Sequence, residues 1–201
     1  AEQQDFFKNL NLFEPLEIEL IEKSYGNLPR KWGLTRKITA SYGYGISVTA
    51  IHLIQAVNAI INNGTFLPAT ILKGKNDNKL GEKVISTQNS SHVRKLMREV
   101  VRRGTARKAF SKGYDIGGKT GSANKVGKYG YDEDRLLSSF IGFFPVEKPK
   151  FIIYSFLDEP QGIKETGGYA TGGATVAPLV KNMIERIAPI YDIAPEKNAR
   201  F

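Results

Sequence analysis

Cysteine is absent from the 201 residues. That excludes disulfides and zinc–thiolate sites, and it suits a periplasmic or a cytosolic chain equally well. Histidine is scarce: His52 and His92 are the only two. Both fall in helical patterns and are expected to be ordinary helix residues, so a Ser-His-Asp triad has little to draw on. No apolar run approaches the roughly 18 residues of a membrane-spanning helix. The start, Ala1-Glu-Gln-Gln-Asp5, has none of the basic, apolar and cleavage regions of a signal peptide. The arginine-rich stretches are not interleaved with aromatics, so a nucleic-acid partner is not expected. Repeats and low-complexity linkers are also missing.

What is present suffices for one domain with a sizeable core, since 41% of the residues are hydrophobic. The net charge is +9, much of it in Arg94, Lys95, Arg98, Arg102, Arg103, Arg107, Lys108 and Lys112. The plain reading is the solvated face of a helix and its exit. The functional reading is attraction to an anionic polymer or surface.

Along the chain, Phe6, Phe7, Leu10, Leu12 and Phe13 make an apolar start. Leu16 to Ile21 reads as a short strand and Lys23 to Lys37 as loop. Thr49 is an N-cap signal. Ile51, Ile54, Val57 and Ile61 follow at helical spacing, and Asn63-Gly64 closes the helix. Phe66 to Leu72 is a strand candidate, and Asn76 to Gly81 a polar turn. Ser86-Thr87 or Ser90 opens the clearest helix, with Val93, Leu96, Met97, Val100 and Val101 on one face and Gly104 at its end. Then the period changes. Ile116 to Val126 is a strand candidate, and Gly127 to Asp134 is a polar connection. Leu136–Phe144 and Phe151–Leu157 are strands joined by Pro145-Val-Glu-Lys-Pro149. So short a turn makes the pair antiparallel. A Gly-rich run over 166–173 precedes a last amphipathic helix carrying Val176, Leu179, Val180, Met183, Ile184 and Ile187, which Pro189 stops.

Lys119-Thr120-Gly121 is the most informative tripeptide, and two enzyme classes claim it. Gly113 to Thr120 fits the nucleotide-binding pattern G-x-x-x-x-G-K-[ST], and Phe151 to Glu159 resembles the acidic strand that accompanies it. A phosphate loop needs a buried strand before it and a helix starting at its lysine. Here Arg107 to Lys112 precedes it, and Gly121, Gly127 and Gly130 follow, so a P-loop nucleotide hydrolase is the lesser alternative. Gly127-x-x-Gly130 also matches an RNA-binding clamp, which belongs between helices, not strands. The other reading places Lys-Thr-Gly on an edge strand of a serine acyl-transferase. On a strand, Thr120 and Ser122 share one face, and Lys119 and Gly121 the other. Two hydroxyls beside a cation suit a carboxylate, Gly121 allows another extended chain to lie close, and an edge N–H can stabilise an oxyanion.

The wider context favours acyl transfer. Ser41-Tyr-Gly-Tyr-Gly-Ile-Ser-Val-Thr49, Gly104-Thr-Ala-Arg107, Gly118-Lys-Thr-Gly-Ser-Ala-Asn-Lys-Val126 and Gly172-Gly-Ala-Thr-Val-Ala-Pro178 occur in this order. Together they resemble the C-terminal part of the transpeptidase domain of class B penicillin-binding proteins, nearest the division-specific branch, from about residue 5 to about residue 190. The resemblance implies an α+β fold: an antiparallel sheet with packed helices, β-lactamase/transpeptidase-like, present here as a partial domain over 1–201. It implies peptidoglycan D,D-transpeptidation through an acyl-serine and binding of β-lactam antibiotics. The remaining implied partners are the peptidoglycan stem peptide and division-complex proteins, with no cofactor or metal. The implied location is the periplasmic face of the inner membrane.

By the same resemblance, Lys119 serves proton transfer and anchors substrate charge. The Thr120 and Ser122 hydroxyls bind the carboxylate, Gly121 admits the substrate chain, and the Ser122 N–H supplies half of the oxyanion hole. Ser122 stands where the family usually has threonine, and Ala50 where a proline usually follows Val-Thr. The family's nucleophile, the serine of a helical Ser-x-x-Lys, is expected upstream of the matched region. Ser122-Ala-Asn-Lys125 fits that pattern only in letters, because a strand sends residues three apart to opposite faces. A chain without the upstream strands is also expected to self-associate, by edge pairing or by exchange of its apolar N-terminal segment.

Overall fold

The apolar start folds into a short helix, α1 (Glu2–Asn9). Its Phe6 and Phe7 pack with Leu10, Leu12 and Phe13 against Ala56 and Ala59. The remaining elements are α2 (Leu34–Ser41), α3 (Ala50–Ile61), β1 (Thr65–Phe66), β2 (Glu82–Lys83), α4 (Thr87–Arg102), β3 (Gly117–Gly127), β4 (Gly130–Phe144), β5 (Phe151–Asp158) and α5 (Gly172–Ile190). This computed structural model describes residues 2–26, 32–76, 79–127 and 130–195. It divides into two compact units, Ala1–Ser91 and His92–Phe201, with the division inside α4.

In the first unit, Thr49 caps α3 as its sequence requires: the hydroxyl accepts the His52 N–H at 3.3 Å. The His52 ring is fully buried. Its Nε2–H donates to the Glu14 carbonyl at 2.9 Å, and Nδ1 pairs with the Thr49 hydroxyl at 2.7 Å. His52 therefore ties the N-terminal segment to α3, while His92 is exposed. Leu10 and Leu12 are buried in the unit's own core, because α1 and the turn after it find α3 within the same unit. Leu16 and Ile18 are buried alternately, as expected of a strand, yet among the described residues no strand pairs with them. The expected strand at Phe66–Leu72 shrinks to the two-residue β1, paired antiparallel with β2. Part of the expected loop over 23–37 is α2; residues 27–31, and residues 77–78 of the expected turn, lie outside the described residues.

One carboxylate organises the Thr70–Lys75 segment. Glu19 accepts the Thr70 hydroxyl at 2.8 Å and the Ile71 N–H at 3.0 Å, and it pairs with Lys75. The Lys75 ammonium foremost, then the Ile71 N–H and the Thr70 hydroxyl, lower its pKa from 4.5 to about 2. A folded pKa below the unfolded one stabilises fully above the unfolded value and progressively less as pH falls toward the folded one. Wild type is therefore expected to be more stable than Glu19→Gln at neutral pH. The gap should close between 4.5 and about 2. Unfolding midpoints of the two proteins across an acid series measure it, and a gap independent of pH would contradict this account.

In the second unit, β3, β4 and β5 form an antiparallel sheet in that order. Thr120 stands opposite Phe140, and Phe140 opposite Ser155. β4 runs through Asp132–Asp134, where a polar connection was expected. A register shift between Asn124, opposite Leu136, and Lys125, opposite Asp132, accommodates the extra residues on β4. Lys125 then reaches Asp158 (2.7 Å) and Glu159 (2.8 Å), and Arg135 reaches Glu159 (2.8 Å), tying the far end of the hairpin to the end of β5. These hydrogen bonds raise the pKa of Lys125 and Arg135 and lower that of Glu159. Among the described residues, β3 and β5 are the sheet's two edges.

α5 covers one face of this sheet. Val176, Val180, Ile184 and Ala188 are fully buried with Phe140, Phe144 and Ile116. Complete burial of each large side chain stabilises by roughly 1.5–3 kcal/mol, so this layer dominates the unit. Leu179 and Met183, expected in the same stripe, flank it and are exposed, as is Leu96 of α4, whereas Arg94 of α4 is buried. Pro178 lies inside α5 and cannot donate to the Ala174 carbonyl one turn earlier. Lys108 donates its Nζ to that carbonyl at 3.5 Å instead. Pro189 sits in the last turn of α5 and does not stop it short. No helix among the described residues is long and apolar enough to cross a membrane.

Candidate active site

Three separate segments meet at the middle of β3. Strand alternation turns Thr120 and Ser122 to the face that α5 covers, the face of their partners Phe140 and Ser138. The Thr120 hydroxyl lies 2.8 Å from the hydroxyl of Thr105, in the turn that ends α4. The Ser122 hydroxyl accepts the Gly172 N–H at 3.1 Å, at the first residue of α5. The Ser138 hydroxyl donates to the Ala170 carbonyl just before that helix. Lys119 and Gly121 take the other face. The Lys119 side chain is exposed and donates to the Thr120 carbonyl at 2.8 Å. A Cβ on Gly121 would come within 2.5 Å of the Ser139 hydroxyl, so that face of Gly121 is already occupied by β4.

The glycines that start α5 explain how the segments approach so closely. A Cβ on Gly172 would lie 2.1 Å from the Ser139 carbonyl oxygen and 2.7 Å from that of Gly121. A Cβ on Gly173 would lie 2.1 Å from the Thr105 carbonyl oxygen. Both neighbours are backbone and cannot swing aside. These positions read from sequence as part of a Gly-rich loop, because glycine is a poor helix former. The close backbone contact outweighs that propensity, and α5 begins at Gly172 itself.

The nucleotide-binding alternative fails here. Lys119 is the third residue of an antiparallel strand and no helix follows it. The segment before it is a turn of 3-10 helix, Arg107–Ala109. Asp115, inside the would-be phosphate loop, is buried in an ion pair with Arg98. The β5 strand that resembled an acidic partner is antiparallel. Among the described residues no group of His, Asp and Glu side chains is arranged to hold a metal ion.

Ser122 and Lys125 do not form a nucleophile–base pair. Ser122 faces Gly172, and the Lys125 ammonium is held by Asp158 and Glu159. Thr105 lies in the Gly104–Arg107 motif that contributes to the family resemblance, but sequence alone assigns it no role, because its hydroxyl partner lies 15 residues away.

Residues 2–185 match the family described as the penicillin binding protein transpeptidase domain. A probable peptidoglycan D,D-transpeptidase FtsI from Caulobacter vibrioides is 35% identical over 198 residues, covering 94% of this chain and 34% of that protein. Stage V sporulation protein D from Bacillus subtilis is 36% identical over 177 residues, covering 83% of this chain and 27% of that protein. The transpeptidase domain of Burkholderia pseudomallei penicillin-binding protein 3 superposes with a TM-score of 0.87 at 29% identity, covering 98% of this chain and 59% of that one. The chain thus spans about a third of the length of these curated relatives.

Proposed function

This chain belongs to the penicillin-binding protein transpeptidase domain family, and we propose on that footing that it supplies part of a serine D,D-transpeptidase that cross-links peptidoglycan stem peptides. The observation that carries this reading is the meeting of Lys119–Ser122 with the Thr105 turn and the start of α5. Two hydroxyls, a nearby cation and a helix N-terminus favour a ligand that ends in a carboxylate.

In the proposed reaction a serine oxygen attacks the carbonyl carbon of the D-Ala–D-Ala amide. The C–N bond breaks, the departing amine takes a proton, and the acyl group stays on the serine as an ester. An amine of a neighbouring stem peptide then attacks the ester, forms the new amide and returns the proton to the serine. A β-lactam would acylate the same serine by opening its ring. Lys119 anchors substrate charge and takes part in proton transfer, and the Thr120 and Ser122 hydroxyls hold the carboxylate. Gly121 keeps the edge open to the substrate chain, and the Ser122 N–H contributes to the oxyanion hole. The nucleophile is assigned to sequence outside these 201 residues, since their one Ser-x-x-Lys match, Ser122–Lys125, is split between two sites. Division-complex partners and a place at the periplasmic face of the inner membrane follow from the same reading. The edge of β5 is where an isolated chain would pair with a second copy.

Intact-mass measurement with a fluorescent penicillin tests this. The isolated chain is expected to form no covalent adduct, and a complete transpeptidase domain to form one per molecule, on a serine outside residues 1–201. A stoichiometric adduct on Ser122 would overturn the placement of the nucleophile. A complete domain that takes no label would overturn the function.

A further inference from the structure

We infer that Thr105 is a positioning residue that presets Thr120 as a hydrogen-bond donor, so that the site selects a carboxylate over a neutral group of the same shape. This rests on the transpeptidase reading above and adds a residue to it. The turn that carries Thr105 is fixed on both sides. The Gly104 N–H bonds to the Glu99 and Val100 carbonyls, each at 3.1 Å, and the Ala106 N–H to the Val100 carbonyl at 3.1 Å. Ala106 is fully buried in the core. On the other side, the Thr105 carbonyl lies against Gly173 at the start of α5. The backbone of Thr105 is thus clamped between the end of one helix and the start of another. Its hydroxyl is left 2.8 Å from that of Thr120.

Each hydroxyl has one proton and two lone pairs. A carboxylate only accepts, so Thr120 must give its proton to the ligand. Its oxygen then has lone pairs free, and the Thr105 hydroxyl can donate into one of them. The order of donation is Thr105 to Thr120 to carboxylate, and each bond polarises the next. Ser122 is arranged in the same way by a different group. Its oxygen accepts from the Gly172 N–H, which leaves its own proton to be given to a ligand. Both hydroxyls therefore have their accepting side served by the protein and their donating side left for a ligand. Such a pair gains most from an anionic oxygen, where the bond is charge-assisted, and least from an ester or amide carbonyl.

The test uses the full-length protein in single-turnover acylation, with benzylpenicillin and its methyl ester as the two acyl donors. Thr105→Val keeps the shape and removes the hydroxyl. It is expected to raise the half-saturating concentration of benzylpenicillin roughly fivefold, the size of one modest hydrogen bond. The limiting acylation rate and the behaviour of the ester should stay unchanged. Thr105→Ser should restore wild-type capture. An equal rise for penicillin and ester, or a serine variant that behaves like valine, would show that Thr105 only shapes the loop and would overturn the proposal. If valine lowers the unfolding midpoint, Thr105→Ala read against Thr105→Ser decides by the same comparison of penicillin with ester. A wild-type protein that benzylpenicillin does not label overturns the transpeptidase reading and this inference together. A labelled wild type with an unaltered Thr105→Val overturns this inference alone.

Discussion

Replacing Lys119 by alanine in a complete transpeptidase domain is expected to slow acylation by penicillin about a hundredfold while leaving the unfolding midpoint in place. The two halves of that expectation have separate grounds. Lys119 is exposed on an edge strand, and among the described residues it forms no ion pair. Its ammonium donates to the carbonyl of its own neighbour, Thr120, at 2.8 Å. Nothing in the fold depends on that bond, so its loss should cost little stability. In the reaction, a single well-placed charge or oxyanion contact contributes on the order of 3 kcal/mol to the transition state, about two decades in rate. Arginine should not substitute, because its planar fork places the charge differently from a compact ammonium. The second-order acylation rate with a fluorescent penicillin, read beside thermal unfolding, gives both quantities. Acylation at the wild-type rate in Lys119→Ala would remove Lys119 from the site.

Much of the region around Lys119 was legible in the sequence because its signals are local. The alternation of Lys119, Thr120, Gly121 and Ser122 gives the two faces of β3, and Pro145 to Pro149 dictates the antiparallel return of β5. Thr49 and Asn63-Gly64 bracket α3 within a residue or two. What was not legible depends on partners far along the chain. Thr105 belongs to a stretch that marks the family, but its link to Thr120 shows only once the two are folded together. Gly172 and Gly173 suggest a loop until the Ser139 and Thr105 carbonyls are seen against them. Leu16 and Ile18 have the alternation of a strand, but a strand also needs a neighbour, and among the described residues none pairs there. Pro178 inside α5 breaks a local rule, and a lysine from another segment makes up the missing partner.

Loss of Asp115 should destabilise the second unit strongly. The residue is buried four positions before Lys119. Arg98 of α4 grips it with both ends of its guanidinium, Nε to Oδ1 at 3.0 Å and Nη2 to Oδ2. Arg102 stands 3.8 Å away, and Glu147 touches Arg98 at 3.4 Å from the exposed rim. Deleting one partner of a buried pair commonly costs about 3–5 kcal/mol, because the other charge stays desolvated without a counter-ion. The Arg98 side chain keeps 21% exposure and has Glu147 to turn to, so the lower end, about 3 kcal/mol, is expected for Asp115→Ala. Replacing both residues, as in Arg98→Met with Asp115→Leu, should recover much of that loss, since the pair's own net contribution is small once its desolvation is counted. Denaturant unfolding of the wild type, the two single variants and the double variant closes the cycle. Additive losses would mean that the two residues do not act as a pair. A loss under about 1 kcal/mol in Asp115→Ala would mean that water already screens the pair, as at an exposed salt bridge. If the coupling is found, acylation should fall with it in a complete domain, because this pair fixes where β3 begins and so where Lys119, Thr120 and Ser122 stand relative to the Thr105 turn and the start of α5.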